Sequence, residues 1–428
     1  MQLTTSHIPQ SRTAHMSLRR YPQCTPTEHP ASSCTLQQKV PKPAKGTHNS
    51  SIPRCTNPYD LPRHKQQRIM SSSKAYLAII GVGGVGQCFL RQLSSLPSSQ
   101  RPSLIFVSRS SKQLYNSSYA PVSASDLQSS SSDILSLPQI ADYLSSAPGK
   151  VVLVDNTSNQ DVADSYPSFL SQGISVVTPN KKAFSSTLEL WDGIFDAVGA
   201  GKAMVYHESS VGAGLPVIST LNDLVKTGDK VKKIEGVFSG TMSFLFNSFA
   251  PADGAGGGAK WSEIVAQAKD AGYTEPDPRD DLNGMDVARK CTILARLAGL
   301  RVKGPSDFSV QSLIPKELEG AGSAEEFMQR LPEFDAEMEG YKEKAAKEGK
   351  LVRYVGKIDV EAGTVSVGLE MVEKSGPIGG LKGSDNLICF YTERYGSNPL
   401  VVQGAGAGGE VTAMGVTADL IRVLERMR

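Results

Sequence analysis

The sequence has no long apolar run. None of its 428 residues belongs to an apolar stretch near the roughly 18 residues that a membrane-spanning helix requires. This pattern excludes an integral membrane protein, and we expect no membrane partner. Cysteine is also scarce, with six in total, and no pair has zinc-site spacing. Because Cys88, Cys291 and Cys389 occur singly in apolar contexts, we expect buried thiols in a reducing compartment, which favours a cytoplasmic location.

The chain beyond residue 70 lacks a surplus of positive charge. Residues 1–70 contain 10 Lys and Arg against 2 Asp and Glu, whereas the remainder contains 35 against 41. A mildly acidic body argues against nucleic acid as a partner. The body is also poor in histidine, since five of the six lie in residues 1–70 and only His207 lies beyond them. The common histidine acid/base catalyst therefore has one candidate.

Residues 1–70 lack the periodic apolar pattern of a folded core. The segment is rich in Ser, Thr, Pro, Gln and basic residues, a composition that cannot bury enough apolar surface to fold. We interpret it as a disordered extension that ends at Met70, where a second start is available. Organellar targeting is the alternative, because the segment is Arg- and Ser-rich and poor in acids.

A glycine-rich loop opens the folded body. The apolar run 76–80 reads as a buried strand, the sequence GVGGVG follows at once, and a helical pattern comes next. Glycines at this spacing permit a tight turn, close approach to a pyrophosphate and close helix packing, so the loop predicts a dinucleotide site. The predicted cofactor-binding residues of this loop are Gly81, Gly83, Gly84, Val85 and Gly86.

The end of the next predicted strand bears on cofactor choice. After the apolar run 104–107, the position where an acid would bind a ribose 2′-hydroxyl is occupied by Ser108, Arg109 and Ser110. A cation with two hydroxyl groups suits a 2′-phosphate, so we expect NADP in preference to NAD. The alternative for Arg109 is a solvated surface residue.

Two further apolar runs continue the strand pattern. Residues 151–154 are followed by Asn156 and Thr157, and residues 174–177 are followed by Asn180 and Lys181. Ligands of a doubly wound sheet bind outside the carboxyl ends of its strands, so we expect these side chains near the cofactor. Helix N-capping is the alternative for Asn156 and Thr157.

Glu208 begins a glycine-rich turn after another predicted strand. A carboxylate followed by such a turn can direct several oxygen atoms at a hard cation. A structural glutamate in a hinge is the alternative.

An acidic loop precedes a predicted helix in the second half of the chain. The loop, residues 272–284, has four carboxylates, and its two prolines are expected to exclude a helix and to stiffen it. Asp286 and Lys290 then lie four residues apart and share one helical face. A partly desolvated lysine beside a nicotinamide can transfer a proton to or from a carbonyl or alcohol oxygen. A solvated surface pair is the alternative.

Together these motifs make residues 74–428 resemble monofunctional homoserine dehydrogenase of the fungal type. The resemblance implies NAD(P)-dependent interconversion of L-homoserine and L-aspartate-4-semialdehyde, a step of threonine and methionine biosynthesis, and a homodimer. The motifs that carry it are, in order, GVGGVG, VDNTSN, TPNKKAFSS, YHESSVGAGLP, EGVFSGTMSFLFN, GYTEPDPRDDLNGMDVARK and QGAGAGGEVTA.

The resemblance also implies roles for individual residues. Lys290 would be the general acid/base, Glu275 and Asp286 would bind substrate, and Lys181 would lie between nicotinamide and substrate. A monovalent cation, usually sodium in the family, would be bound by the Glu208 side chain and backbone carbonyls. The carbonyls would belong to Val211, Ala213 and Leu215. Arg109 departs from the family pattern at a position where other members carry an acid, and residues 1–70 have no counterpart.

The expected fold class is α/β with three folded regions after residues 1–70. A Rossmann-type doubly wound dinucleotide-binding domain covers 71–206 and is completed by 410–428. A second α/β catalytic domain covers 217–351, and a small dimerisation sheet is formed by 207–216 and 352–409. Two other functions remain open: a different amino-acid-linked dehydrogenase acting on a lysine- or diaminopimelate-type substrate, and a non-catalytic dinucleotide-sensing module.

Overall fold

The computed structural model of the protein describes residues 75–252 and 258–428. The predictions for residues 1–70 therefore lie outside the described residues. The described chain forms two six-stranded sheets with helices packed on them, which confirms the predicted α/β class. Across both described ranges, every helix is too short or too polar to cross a membrane.

The first sheet has the strand order β3-β2-β1-β4-β5-β6. All neighbouring pairs are parallel except β2 and β3, which form an antiparallel hairpin that the sequence analysis did not predict. The order and the parallel pairing are those of a Rossmann-type sheet, as predicted. The strands are β1 Tyr76–Ile80, β2 Ser103–Arg109, β3 Lys112–Tyr115, β4 Val151–Asp155, β5 Ser175–Val177 and β6 Val205–Tyr206. The helices of this half are α1 Gly84–Ser95, α2 Leu137–Ser145, α3 Gln160–Asp164, α4 Tyr166–Ser171, α5 Lys182–Ser185 and α6 Leu188–Gly199.

The second sheet has the strand order β12-β11-β7-β9-β10-β8 and is antiparallel except for the pair β10 and β8. Its strands are β7 Val231–Val237, β8 Ser309–Val310, β9 Lys350–Asp359, β10 Thr364–Glu373, β11 Asn386–Thr392 and β12 Leu400–Gly404. The remaining helices are α7 Val217–Lys226, α8 Gly240–Phe249, α9 Trp261–Asp270, α10 Arg279–Leu282, α11 Met285–Leu297, α12 Ala324–Arg330, α13 Asp335–Lys347 and α14 Gly409–Met427.

Strand β7 lies between β11 and β9, so segments assigned from sequence to different regions share one sheet. The expected boundary between residues 351 and 352 falls inside β9. The division into catalytic and dimerisation regions remains a prediction about function, because the backbone does not separate the two segments.

The core joins the two sheets. On one face of the first sheet, Leu77 and Ile79 are wholly buried against a cluster that includes Leu420 and Val423 of the C-terminal helix α14. On the opposite face, Ala78 belongs to one continuous buried cluster that extends to the helices over the second sheet. The first and last elements of the described chain therefore pack together, and a single apolar cluster underlies both sheets.

One local prediction was wrong. The prolines of the acidic loop were expected to exclude a helix, but the one-turn helix α10 starts directly after Pro278. Proline is tolerated at the start of a helix because the first N–H groups have no intrahelical acceptor. The turn brings the Asp281 carboxylate back to the Glu275 N–H, at 2.8 Å.

Candidate active site

Helix α11 carries the two residues at the centre of the site. Gly284 caps its start with a φ of +74°, and a Cβ there would lie 2.0 Å from the Tyr354 hydroxyl oxygen. Only glycine meets both requirements. The Asn283 side chain accepts the first helical N–H, that of Met285, at 2.8 Å. These contacts fix where the helix begins and so the direction in which the next turn projects.

Lys290, Asp286 and Lys181 form a chain of charges. The Lys290 ammonium lies 2.7 Å from one carboxylate oxygen of Asp286, and the Lys181 ammonium lies 3.4 Å from the other. Enclosure of the Asp286 carboxyl opposes ionisation, but Lys290 and then Lys181 outweigh it and hold the pKa of Asp286 well below its usual range. The site therefore keeps a carboxylate between two lysines at every pH near neutrality.

Lys290 is the buried member of the pair, with 8% of its side chain exposed against 33% for Lys181. Its ammonium also donates a 2.5 Å hydrogen bond to the backbone carbonyl of Phe238, at the end of β7. An ammonium has three N–H groups. With Asp286 and Phe238 as two acceptors, one remains for a substrate oxygen, which is the arrangement a proton donor needs.

Lys181 is held in place by a buried network at the carboxyl edge of the first sheet. The Asp155 carboxylate accepts the Tyr166 hydroxyl at 2.5 Å and the Asn180 amide at 3.1 Å, and Thr178 donates to the Asp155 backbone carbonyl. Burial raises the pKa of Asp155 even though these hydrogen bonds oppose the shift. The network joins the ends of β4 and β5 and so fixes the segment that carries Lys181.

The acidic loop exposes Glu275 and uses two of its other acids in contacts within the protein. Asp281 accepts the Glu275 N–H at 2.8 Å and the Thr241 hydroxyl at 2.9 Å, and burial raises the pKa of its carboxyl. Asp277 pairs with Arg279 at 2.6 Å. The Glu275 side chain forms no ion pair with any described residue, so its carboxylate is available to a ligand cation.

The glycine loop has the geometry of a dinucleotide site. Gly81 has a φ of +93°, and a Cβ on Gly86 would lie 2.2 Å from the Gly81 carbonyl oxygen. A Cβ at Gly83 or Gly84 would meet open space, which leaves the start of α1 accessible to a phosphate. Val85 is half-buried and packs against the core on that side of the sheet.

Asn156 and Thr157 lie beside this loop, but neither caps a helix. The cap of α3 is Asn159, whose side chain accepts the Val162 N–H at 2.9 Å. Both polar atoms of the Asn156 amide are buried and lack a hydrogen-bond partner within the described chain. A buried amide is rarely left unpaired, so the residues present fit a bound cofactor and the capping alternative is wrong.

Arg109 ends β2 and is exposed. Its guanidinium forms neither an ion pair nor a hydrogen bond with residues of the described ranges. The side chain is therefore free to meet a phosphate at this strand end, where the carboxylate of an NAD site would otherwise lie.

Glu208 is engaged by the protein itself. Its carboxylate accepts the N–H groups of Ile218 and Ser219 at the start of α7, with Oε1 2.7 Å from the first, and lies 3.5 Å from Arg422. Asp419 accepts the Glu208 N–H, and burial raises the pKa of Asp419 to about 6. Glu208 therefore has the structural role that was the alternative in the sequence analysis.

The turn after Glu208 retains features that suit a hard cation. Gly212 and Ala213 have φ values of +80° and +54°, the second being rare for a residue with a side chain. Val211 and Ala213 are buried, whereas the Leu215 carbonyl accepts the Val217 N–H at 2.8 Å. The described residues contain no group of three His, Cys, Asp or Glu side chains placed for a metal, so any cation here would depend on backbone oxygens and Glu208.

Sequence reasoning missed Arg296, which lies on α11 beyond Lys290. Its buried guanidinium donates to four backbone carbonyls, which belong to Phe184, Ser186, Val302 and Lys303. Two of these lie in the segment that follows Lys181. The residue therefore ties the helix of Lys290 to the half that binds the dinucleotide. A single arginine among apolar residues gives no sequence pattern from which this role can be predicted.

Two family models match the chain. Residues 81–208 match the model described as homoserine dehydrogenase, NAD binding domain, and residues 216–421 match the model described as homoserine dehydrogenase. The homoserine dehydrogenase of Paracoccidioides brasiliensis is 62% identical over 373 residues, which cover 84% of this chain and 100% of that protein. The enzyme of Saccharomyces cerevisiae is 46% identical over 363 residues, with 84% and 100% covered.

Solved structures give the same result for the fold. A crystal structure of a Candida auris protein of unknown function has a TM-score of 0.80 and 47% identity, and the match covers 83% of this chain and 99% of that one. A homoserine dehydrogenase from Thermoplasma acidophilum has a TM-score of 0.59 at 20% identity, with 82% and 100% covered. At that identity the second likeness supports the fold alone.

Proposed function

The chain belongs to the homoserine dehydrogenase family, and from this premise we propose how its own residues interconvert L-homoserine and L-aspartate-4-semialdehyde. The chain is a nicotinamide-dependent oxidoreductase. The observation that carries the proposal is the buried contact of Lys290 with Asp286 and Phe238, which leaves one lysine N–H position for a substrate oxygen. A dinucleotide-sensing module would give this arrangement no task, and the family favours homoserine over lysine- or diaminopimelate-type substrates.

In the oxidation direction, neutral Lys290 accepts the proton of the homoserine hydroxyl as that C–O bond becomes a carbonyl. Hydride transfer from the same carbon is the chemistry that a bound nicotinamide would supply. In reduction the Lys290 ammonium returns the proton to the aldehyde oxygen. Asp286 holds the lysine toward that oxygen in both directions, because the 2.7 Å ion pair restricts the lysine side chain.

The remaining charged residues orient the amino acid. The free carboxylate of Glu275 suits the substrate ammonium, and Asp286 adds a second negative charge. Lys181, at 3.4 Å from Asp286, stands between the carboxyl edge of the first sheet and the substrate, which suits a position next to the nicotinamide. Gly81, Gly83, Gly84, Val85, Gly86, Asn156 and Thr157 would hold the dinucleotide, and Arg109 would favour NADP.

Replacement of Lys290 tests the proposal. Lys290→Ala is expected to lower kcat by about 10² to 10⁴, the usual contribution of a positioned acid/base, while cofactor affinity is retained. Partial recovery on addition of methylamine would identify a missing amine rather than a damaged fold. The control is Lys182→Ala, which removes a lysine outside the charge chain. Near-normal turnover of Lys290→Ala would contradict the role and move it to Lys181 or to water.

A monovalent cation, with sodium as the first choice, is proposed at the Glu208 turn. The supporting observation is Ala213, whose left-handed backbone has a cost of about 1–3 kcal/mol that a ligand contact would offset. Glu208 and the carbonyls of Val211, Ala213 and Leu215 would be the ligands. Sodium chloride should then raise the melting temperature more than choline chloride at equal ionic strength. An equal effect of the two salts, or an unchanged difference in Glu208→Gln, would contradict the site.

We also infer that the enzyme is a cytoplasmic homodimer. The free thiols of Cys88, Cys291 and Cys389 are buried in the described structure, as expected in a reducing compartment. The edge strand β12 exposes Val401, and Tyr395 is exposed nearby, so this edge offers apolar surface to a second copy. Val401→Glu should shift the mass measured by light scattering from dimer to monomer. A mass that stays monomeric for the unmodified chain would contradict the inference.

A further inference from the structure

The carbonyl that holds Lys290 has a second donor. Asn386, the first residue of β11, donates its side-chain amide to the Phe238 carbonyl at 3.0 Å, and the same oxygen accepts the Lys290 ammonium. A carbonyl oxygen only accepts, so the amide nitrogen rather than the amide oxygen must face it. The Phe238 carbonyl is thus held between a fixed amide and the proposed proton-transfer group.

Stability alone does not explain an asparagine at this position. Asn386 has no exposed surface, and its Oδ1 has no hydrogen-bond partner among the described residues. A buried oxygen without a hydrogen-bond donor destabilises the folded state. An apolar residue of similar size would avoid that cost. Among the described residues, the side chain forms one hydrogen bond, which is the bond to the carbonyl that accepts the Lys290 ammonium.

The amide is itself fixed from the other side. A Cβ on Gly406 would lie 2.0 Å from the Asn386 amide nitrogen, so the backbone of the glycine-rich segment before α14 packs directly on this side chain. The Phe238 ring, also buried, lies so close to Gly356 that a Cβ there would be 2.9 Å from it. The Asn386 amide therefore has no room to turn, and the Phe238 ring is closely packed against Gly356.

We propose that Asn386 is a positioning residue that sets the direction of the Lys290 ammonium through the Phe238 carbonyl. The inference rests on the proposed role of Lys290. Without the amide, the peptide plane that carries the Phe238 carbonyl could tilt. The Lys290 ammonium would follow the carbonyl oxygen away from the substrate oxygen. Displacements near 1 Å reduce rates strongly, because proton transfer needs short, aligned contacts.

Two variants test the proposal from opposite sides. Asn386→Ala removes the donor, and Gly406→Ala leaves Asn386 intact but forces its amide to move. Both are expected to lower kcat about tenfold and to leave the KM values for homoserine and NADP nearly unchanged. Both should also increase the solvent deuterium isotope effect on kcat, because proton transfer becomes the slow step. If Asn386→Ala fails to fold, Gly406→Ala still gives the answer.

Asn247→Ala is the matched control. That asparagine also donates its amide to a backbone carbonyl, Gly383 at 3.0 Å, and also has an unpaired Oδ1, but it does not contact Lys290. Its kcat and isotope effect should stay normal.

Folded Asn386→Ala and Gly406→Ala with normal kcat would overturn the inference, as would losses that match those of Asn247→Ala. If these variants are normal while Lys290→Ala is inactive, only this inference fails. If Lys290→Ala is active, the proposed function of the lysine fails first.

Discussion

Several buried polar side chains of this protein donate hydrogen bonds to backbone carbonyls. Lys290 and Asn386 share the Phe238 carbonyl, and Arg296 uses four carbonyls. Backbone carbonyls are fixed by strands and helices, so they place a charged group more firmly than a mobile side chain does. At the residue scale, the site therefore depends on backbone oxygens. A single sequence does not show which of these oxygens lie near a given side chain.

His207 gives a prediction about acid stability. Its ring stacks on Phe184 at 3.8 Å, and burial lowers its pKa from 6.5 to about 3. The unfolded chain takes up this proton below pH 6.5 and the folded chain does not, so the stability contributed by neutral His207 is present above pH 6.5 and is lost as pH falls toward 3. Between pH 7.5 and 5 the loss is about 2 kcal/mol.

Urea unfolding at both pH values measures this effect. His207→Gln has no proton to exclude, so its stability deficit relative to the unmodified chain should shrink by about 2 kcal/mol at pH 5. All other titrating groups are common to the two proteins. A deficit that is the same at both pH values would show that the folded chain protonates His207 as readily as the unfolded chain does.

Arg109 gives a prediction about cofactor choice. Arg109→Asp should raise the KM for NADP by about 10- to 100-fold, as expected for loss of a charge-assisted hydrogen bond, and should spare NAD. Arg101→Asp introduces the same charge change at an exposed position before β2 and should leave the ratio alone. An NADP/NAD ratio that is unchanged in Arg109→Asp would make Arg109 a surface residue.

At the scale of elements, the sequence predicts what is local. The apolar runs of β1, β4 and β5 predict those strands, and the spacing of Asp286 and Lys290 predicts their contact, because each depends on neighbours within one element. Strand β7 was missed because Lys232, Lys233 and Glu235 interrupt its apolar pattern.

The rest of the site depends on long-range packing. The approach of Lys181 to Asp286 joins residues far apart in sequence, and the Phe238 carbonyl has no side-chain pattern at all. The hairpin of β2 and β3 was missed because β3 is only four residues long. The family resemblance identifies Lys181 but does not explain its position. The hydrogen bonds of Asp155 explain it, because they fix the segment that carries Lys181.

Arg296 links two elements and gives a prediction about stability. A lysine has no fork with which to reach four carbonyls, so Arg296→Lys should lower the free energy of unfolding by about 2–4 kcal/mol, as expected when buried acceptors lose their donor. It should also raise the KM for homoserine, because α11 is no longer held against the segment after Lys181. Urea unfolding and steady-state kinetics measure both effects.

Arg301 provides the comparison for that experiment. It pairs with Asp192 of α6 at 2.8 Å, but 65% of its side chain is exposed. Exposed pairs contribute about 0–1 kcal/mol, so Arg301→Lys should be nearly neutral. Equal losses in the two variants would mean that the buried guanidinium contributes no more than a surface pair.

At the scale of the whole molecule, the continuous buried cluster should make the two halves unfold together. The chain contains two tryptophans, and their fluorescence reports on different halves of the molecule. Trp191 lies in α6 beside the first sheet, and Trp261 lies in α9 over the second. Variants that retain only one of them can therefore follow each half separately.

Leu420 tests this cooperativity. It is wholly buried in α14, on the face of the first sheet that the large cluster does not reach. Leu420→Ala should lower the free energy of unfolding by about 2–5 kcal/mol, the cost of a core cavity. If the molecule unfolds as one unit, the urea midpoints seen by Trp191 and by Trp261 should fall by the same amount, although Trp261 lies in the other half. Met414→Ala, on the same helix but 47% exposed, should leave both midpoints nearly unchanged. A shift confined to the Trp191 signal would show that the nucleotide-binding half unfolds independently, and that the shared cluster does not couple the sheets.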